Sequence, residues 1–296
     1  MFTNNYGKGL ELMEKRSNLA FGMLKLVRPS QWIKNFFIFA PLIFSGQFRS
    51  QDSIIKALVA FLIFTIAASS VYILNDLIDL NNDRIHSVKR LRPIASGDVS
   101  SKSAVVLYFG VLTLTLLLLA FNKNLIPSII GYIVLNLLYT LYLKNQTVIE
   151  IFIIAFGFVL RVYAGGAAIN VPISDWMFVT VLSLALYLAS IKRRQEILNS
   201  GNAGRKVLNA YSEKLMDRYA EISAISSLLF YSMYVMNEHP ELVLTIPFVI
   251  FGLFRYWYLI EKEKQGESPS DVLLKDAQLF GLVILWLVVL ILNISQ

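Results

Sequence analysis

The sequence predicts an all-α polytopic membrane protein, and three observations carry that prediction. Of 296 residues, 56% are hydrophobic and only 16% are Asp, Glu, Lys or Arg, against roughly 45–50% and about 25% in soluble domains. The mean hydropathy is +0.60. Nine stretches approach the length of about 20 apolar residues that a helix needs to cross a bilayer. A water-soluble globule of this size has nowhere to bury so much apolar surface. The chain has no Cys, which excludes disulfide scaffolds, thiolate metal sites and cysteine nucleophiles. Its two His argue against a histidine-rich metal site. The net charge of +7 would suit nucleic acid, but in a membrane chain the placement of charge outweighs its sum, and no nucleic-acid partner is expected.

The expected spans are 31–48, 54–74, 103–121, 125–143, 147–167, 175–191, 219–237, 241–260 and 274–294. Residues 1–30 precede them as an amphipathic segment, with 1–20 too polar for the apolar core of a signal peptide. The first span is interrupted at its start by Gln31, Lys34 and Asn35. The second runs without a break into an acidic stretch at Asn75. The third and fourth are separated by a short turn, and the fifth carries Arg161 within it. Loops 75–102 and 192–218 are long and polar, whereas the connections on the opposite side are short.

The basic residues set the orientation. Of 27 Lys and Arg, all fall on one side except Arg49, Lys56, Lys123 and Arg161, with Lys34 inside the first span. The positive-inside rule then puts the amino terminus and both long loops in the cytoplasm. Polar groups at membrane depth are costly and mark function by default, so the cytoplasmic end of this chain is where its chemistry is expected.

The stretch Asn75-Asp76-Leu77-Ile78-Asp79-Leu80-Asn81-Asn82-Asp83 continues the second span. At about 100° per residue, Asn75, Asp76, Asp79 and Asp83 fall within one arc of about 100° on a helix. Three carboxylates on one face repel unless something positive lies among them. A hard divalent cation takes such oxygen ligands, and Mg²⁺ typically binds one or two carboxylates and completes its shell with water and substrate phosphates. A solvated helix end accounts for one or two Asp at a membrane boundary, but not for four aligned polar groups. Next come Lys89, Arg90 and Arg92. Cations beside a metal–carboxylate cluster suit a substrate with several phosphates, which Arg grips in bidentate fashion; a positive-inside anchor is the plainer alternative for any one of them. In the second half of the chain, Glu213, Asp217 and Glu221 form an i, i+4, i+8 stripe. Asp217 is a candidate second metal or substrate ligand there. Glu213 and Glu221 read as surface residues pairing with Lys214, Arg218 or lipid headgroups.

The motif Asn75-Asp76-x-x-Asp79-x-x-x-Asp83 at the cytoplasmic end of the second of nine spans resembles the first Asp-rich motif of the UbiA superfamily of intramembrane prenyltransferases. The resemblance covers essentially the whole chain. It implies one domain over 1–296, with nine helices around a central cavity and Mg²⁺ (Mn²⁺ as a substitute) holding a diphosphate leaving group. Within the superfamily, several stretches resemble the decaprenyl-phosphate phosphoribosyltransferase branch. These are Arg28-Pro29-Ser30-Gln31-Trp32-Ile33-Lys34-Asn35, Lys89-Arg90-x-Arg92-Pro93-Ile94-Ala95-x-Gly97, Lys192-Arg193-Arg194-x-Glu196, and Tyr211-Ser212 with Leu215-x-Asp217. Tyr139-x-x-x-x-Lys144 also resembles that branch, and Glu150 stands where Asp is expected.

That resemblance implies a Mg²⁺-dependent pentosyltransferase of cell-envelope biosynthesis, moving 5-phosphoribosyl from phosphoribosyl diphosphate to a polyprenyl phosphate. Asn75, Asp76, Asp79, Asp83 and Asp217 are then metal ligands, with Asp76, Asp79, Asp83 and Lys34 at the catalytic centre. Lys34, Lys89, Arg90, Arg92, Lys192, Arg193 and Arg194 are candidates for the sugar and acceptor phosphates, Tyr139, Lys144 and Tyr211 for orienting groups, and Glu196 for the same site. The implied setting is a bacterial or archaeal-type cytoplasmic membrane, with the active site facing the cytoplasm and a homo-oligomer left open. An aromatic prenyltransferase of the same superfamily, using a polyprenyl diphosphate, is the alternative. A transporter of a phosphorylated lipid fits less well, because the outer connections offer few polar groups for a path.

Overall fold

Proline, glycine and side-chain caps divide the apolar stretches into helices whose ends follow from local chemistry. The computed structural model describes residues 19–85, 88–200, 206–263 and 269–294. Among these residues all regular structure is helical: α1 (19–26), a long 3₁₀ helix Pro29–Phe39, α2 (Ala40–Phe44), α3 (Gln51–Ile78), α4 (Leu80–Ile85), α5 (Pro93–Ser96), α6 (Ser101–Phe121), α7 (Ile126–Leu141), α8 (Ile149–Ile169), α9 (Asp175–Ser200), α10 (Glu213–Glu238), α11 (Ile246–Glu263), α12 (Pro269–Lys275) and α13 (Ala277–Ile294). Among the described residues, seven helical stretches are long and apolar enough to cross a membrane: Gln51–Ile78, Ser101–Phe121, Lys123–Leu141, Ile149–Ile169, Asp175–Asn199, Pro240–Lys262 and Ala277–Ile294.

The expected span 219–237 lies on α10, whose first turns hold Glu213, Lys214, Asp217, Arg218 and Glu221. The expected span 31–48 is not one helix. It is the 3₁₀ helix, then α2, then a left-handed Gly46 (φ 69°) and a short 3₁₀ turn Gln47–Arg49. Pro41 cannot donate the main-chain bond that would carry an α-helix across this point.

The chain divides into two compact units, Met1–Trp32 with Ile63–Lys123 and Ile33–Leu62 with Asn124–Gln296. In the first, Leu26, Ile73, Ile94, Val99 and Ala104 form a buried core. Gly22 lets α1 lie on Val99, whose methyl would stand 2.7 Å from a Cβ at position 22. Ser100 caps α6 by accepting from the Ser103 N–H at 3.1 Å, satisfying a helix-end donor. Outward residues of α6 such as Val106, Phe109 and Leu117 are apolar and exposed, as a lipid-facing surface requires.

In the second unit the core draws on α8, α9, α10 and α13, with Phe158, Val162, Met177, Val181, Tyr231, Val235 and Leu290 buried together. The buried phenol of Tyr231 has polar partners on both sides: Thr245 Oγ1 at 2.6 Å and the indole N–H of Trp286 at 3.1 Å. The 3₁₀ helix runs alongside α8. Arg161 Nε donates to Asn35 Oδ1 at 2.7 Å, and four residues on, a Cβ at Gly165 would strike the Ile38 carbonyl. Four α-helical residues and three 3₁₀ residues each rise about 6 Å, so the two helices keep register over these contacts.

Candidate active site

The helical hydrogen bonds do not stop where α3 gives way to α4. Asp79 N–H donates to Asn75 O and Asp83 N–H to Asp79 O, both at 2.9 Å, so the predicted polar face continues through the junction. Two of its carboxylates are withdrawn from solvent: the Asp76 and Asp83 side chains are 2% and 6% exposed, while Asp79 is partly exposed. Such charges need compensation where they lie. Arg92 Nη1 donates to Asp76 Oδ1 at 3.0 Å and to Asp83 Oδ2 at 2.6 Å. Arg28 donates to the same Asp76 Oδ1.

Local sequence explains how each arginine arrives. Arg92 precedes Pro93 and is extended (φ −66°, ψ 144°), the conformation that a following proline favours. Pro93 opens the single turn α5, and Gly97 closes it with φ 90°, a left-handed position suited to glycine. Arg28 sits at φ 51°. The carbonyl of the preceding Val27 accepts from Trp32 Nε1 and from Ser69 Oγ, each at 3.1 Å, which ties this turn to α3. The Arg28 guanidinium also lies 5.1 Å from the Tyr72 ring centre, a cation–π contact. Arg90 is exposed, Lys89 partly so. His86 lies outside the described residues.

A second polar cluster belongs to the other unit. Arg193 is enclosed, with 1% of its side chain exposed, and its Nε lies 2.7 Å from Oε1 of the fully buried Glu150. It also pairs with Glu196 and donates to Tyr139 Oη at 3.1 Å. Arg194 meets three carboxylates: Nε to Asp217 Oδ1 at 2.6 Å, and Nη2 to Glu213 Oε1 at 2.8 Å and Glu261 Oε2 at 3.0 Å. Glu213 thus pairs with Arg194. Tyr211 Oη accepts from the N–H of Val148 at 2.6 Å, holding a β-branched residue at φ 68°, a costly conformation. Burial pushes the Tyr211 phenol above its ordinary value, so it stays protonated. Lys144 and Lys192 are partly exposed. Lys34 is partly exposed as well, on the 3₁₀ helix next to the anchored Asn35.

These arrangements differ in what they offer a ligand. The donors of Arg193 and Arg194, which the sequence offered as phosphate ligands, are directed at protein carboxylates, enclosed ones for Arg193 and partly exposed ones for Arg194. At the first cluster, oxygens of two aspartates converge on one nitrogen of a more exposed arginine. Among the described residues, no group of three or more His, Cys, Asp or Glu is gathered closely enough to hold a metal on its own. The donor set fits Mg²⁺ that takes one or two carboxylates and completes its shell from water and phosphate. It does not fit a closed protein cage. Arg28 is the member that sequence reasoning left out of the site: it stands in the Arg28–Asn35 motif, but no local pattern ties it to a carboxylate 48 positions away.

Comparison with known proteins places these features in context. The UbiA prenyltransferase family matches the chain over residues 36–273. The decaprenyl-phosphate phosphoribosyltransferase of Mycolicibacterium smegmatis is 33% identical over 293 residues, covering 91% of this chain and 91% of that protein. That of Mycobacterium tuberculosis is 32% identical over 285 residues, covering 92% and 93%. The solved structure of a UbiA homolog from Archaeoglobus fulgidus bound to GPP and Mg²⁺ superposes with a TM-score of 0.69 at 19% identity, covering 93% of this chain and all of that one.

Proposed function

The chain belongs to the UbiA prenyltransferase family, and from that premise we propose that it transfers 5-phosphoribosyl from phosphoribosyl diphosphate to a polyprenyl phosphate, releasing diphosphate. The observation that carries this reading is the identity of 32–33%, over nine-tenths of both chains, to relatives named decaprenyl-phosphate phosphoribosyltransferases. The arginines on the α3–α4 carboxylates add chemical support, since a donor with two phosphate groups and an acceptor with a third call for cations as well as acids.

Asp76 and Asp83, with Asn75 and Asp79 on the same face, would hold the divalent cation together with the diphosphate. When bound, Mg²⁺ neutralises charge that builds on the diphosphate as the bond from C1 to its oxygen breaks. Mn²⁺ is the natural substitute. Arg28 and Arg92 grip diphosphate oxygens. Lys34, Lys89, Arg90, Lys144 and Lys192 are assigned to the sugar phosphate and the acceptor phosphate. Tyr139 and Tyr211 hold neighbouring groups in place. An oxygen of the polyprenyl phosphate forms the new bond to C1 from the opposite face. That phosphate is already ionised at pH 7, so no strong general base is needed, and catalysis rests on position and electrostatics.

The membrane arrangement follows. Seven helices qualify as spans by length and hydropathy. The 26-residue α10, about 39 Å long at 1.5 Å per residue, supplies an eighth crossing. The 11-residue 3₁₀ helix rises about 22 Å at 2.0 Å per residue and, with α2, comes near the about 30 Å hydrocarbon thickness. It supplies the ninth. With the amino terminus in the cytoplasm, the α3–α4 face opens there, in the cytoplasmic membrane, and one UbiA-like domain performs the reaction.

The test is transfer of label from phosphoribosyl diphosphate into the lipid phase, with polyprenyl phosphate and Mg²⁺, by purified protein in detergent. Chelator-sensitive transfer that is lost in Asp76→Asn supports the proposal. Absence of lipid-linked label from folded protein overturns the donor assignment and directs attention to prenyl diphosphates with aromatic acceptors.

A further inference from the structure

We infer that Arg28 and Arg92 are exchangeable counter-ions: they occupy the carboxylates of the α3–α4 face until a diphosphate arrives, so cation and diphosphate bind together and neither binds tightly alone. The inference rests on the reading of this face as the metal–diphosphate site and says how that site loads.

The argument begins with one oxygen. Asp76 Oδ1 accepts from Arg28 and from Arg92, and a carboxylate oxygen offers about two lone-pair sites. Both are taken. Asp83 Oδ2 is also held by Arg92, at 2.6 Å. Coordination of a hard cation at about 2.1 Å by these same two oxygens therefore requires a guanidinium to leave them. Charge points the same way: Asp76 and Asp83 are met by two arginines, so the charges of these two buried aspartates are already offset. A divalent ion entering alone meets two aspartates that are already compensated and two nearby cations. A diphosphate entering alone finds its gripping arginines engaged and two carboxylates behind them. Arriving together, they permit a swap in which each carboxylate exchanges a guanidinium for the metal and each guanidinium exchanges a carboxylate for phosphate oxygens, a pairing that guanidinium geometry suits.

Exposure shows which layer moves. The arginine side chains are 24% and 27% exposed, whereas the Asp76 and Asp83 side chains beneath them are 2% and 6% exposed. The arginines form the outer layer that an incoming anion meets first. Their backbones are fixed, Arg28 through the Val27 carbonyl held by Trp32 and Ser69, and Arg92 through the Pro93–Gly97 turn. The exchange therefore takes place within the side chains.

The consequence is a reciprocal coupling, and couplings of this kind span about 5–150-fold. The experiment titrates full-length protein in detergent with Mn²⁺, reading bound ion by electron paramagnetic resonance. It is done with and without inorganic diphosphate, after allowance for the Mn²⁺–diphosphate complex in solution. In the wild type, diphosphate should tighten Mn²⁺ binding about tenfold or more. In Arg28→Gln, Mn²⁺ alone should bind about tenfold tighter than in the wild type, with the enhancement by diphosphate largely lost. Arg28→Lys should retain the weak binding of Mn²⁺ alone. Arg92→Gln provides the same reading should Arg28→Gln fail to fold. If both arginine-to-glutamine variants bind Mn²⁺ alone no better than the wild type, while Asp76→Asn abolishes binding, the exchange is overturned and the metal face stands. If no form binds Mn²⁺ even with diphosphate, both fall.

Discussion

The Arg193–Glu150 pair allows a calculation from burial alone. Both side chains are enclosed, at 1% and 0% exposed, with 2.7 Å between Nε and Oε1. Removing one partner of a buried pair costs about 3–5 kcal/mol, because the other charge is left in low dielectric. Glu150→Leu leaves Arg193 with Glu196 and Tyr139, so its cost belongs near about 3 kcal/mol. Arg193→Met takes the guanidinium from Glu150, Glu196 and Tyr139 together and belongs near about 5 kcal/mol. The double variant Glu150→Leu/Arg193→Met removes both buried charges and fills the space with apolar atoms. It should be more stable than Arg193→Met alone, since replacing a buried pair by apolar groups is often neutral or favourable. At about 2–4 °C per kcal/mol, Glu150→Leu lowers the thermal midpoint by about 6–12 °C. The assay is tryptophan fluorescence against temperature in detergent for the wild type, both single variants and the double. Losses in the double that equal the sum of the singles within about 0.5 kcal/mol would refute the premise that these charges are held against each other.

Two further predictions concern helix ends and close approaches. Asp276 precedes α13, pairs with Arg255 through Nε at 3.1 Å and Nη2 at 2.6 Å, and accepts from the Leu279 N–H at 2.8 Å; the Arg255 hydrogen bonds hold its carboxyl below the ordinary value. Asn keeps the cap but not the charge, so Asp276→Asn should cost about 1–2 kcal/mol at pH 7. Because the folded value is the lower one, that deficit is full above the unfolded carboxylate pKa of about 3.9 and should vanish as pH falls through the folded value, which thermal midpoints at a series of pH values will show. Gly165→Ala should lower the midpoint sharply, since its Cβ would strike the Ile38 main chain, with Cα of Ile38 at 3.2 Å. Gly110→Ala meets nothing within 4 Å and should raise stability by about 0.5–1 kcal/mol; equal midpoints for the two variants would refute the close approach.

Much of the architecture could be read from hydropathy because a bilayer demands long apolar helices. The stretches 54–74, 103–121, 147–167, 241–260 and 274–294 correspond to α3, α6, α8, α11 and α13, with edges moved by caps such as Asp276. The stretch 31–48 failed as a single helix because hydropathy counts apolar residues and is blind to pitch. Pro41, the left-handed Gly46 and the Asn35–Arg161 hydrogen bond decide the backbone there. The carboxylate face could be read because its members lie within nine positions of one helical run, where about 100° per residue fixes their direction. Arg28 could not, because its bond to Asp76 is made by the fold across 48 positions.

The same limit explains why a basic block is ambiguous in sequence. Lys192-Arg193-Arg194 and Lys89-Arg90-Leu91-Arg92 look alike as sequence, and both suggested a grip on phosphate. A guanidinium can serve a substrate only if it can turn its donors outward without leaving a buried carboxylate alone in low dielectric. Arg193, at 1% exposed, has no such freedom: releasing it from Glu150 would strand a fully buried carboxylate, whereas the carboxylates that Arg194 meets are partly exposed. Arg28 and Arg92 cover their aspartates from the outer side, and a metal arriving with the diphosphate would compensate those same aspartates as the arginines leave. An arginine can therefore be assigned to substrate when its carboxylate partner has a second cation to turn to, and to structure when it has none. By that criterion Arg92 is proposed for the ligand, and Arg193 braces the fold.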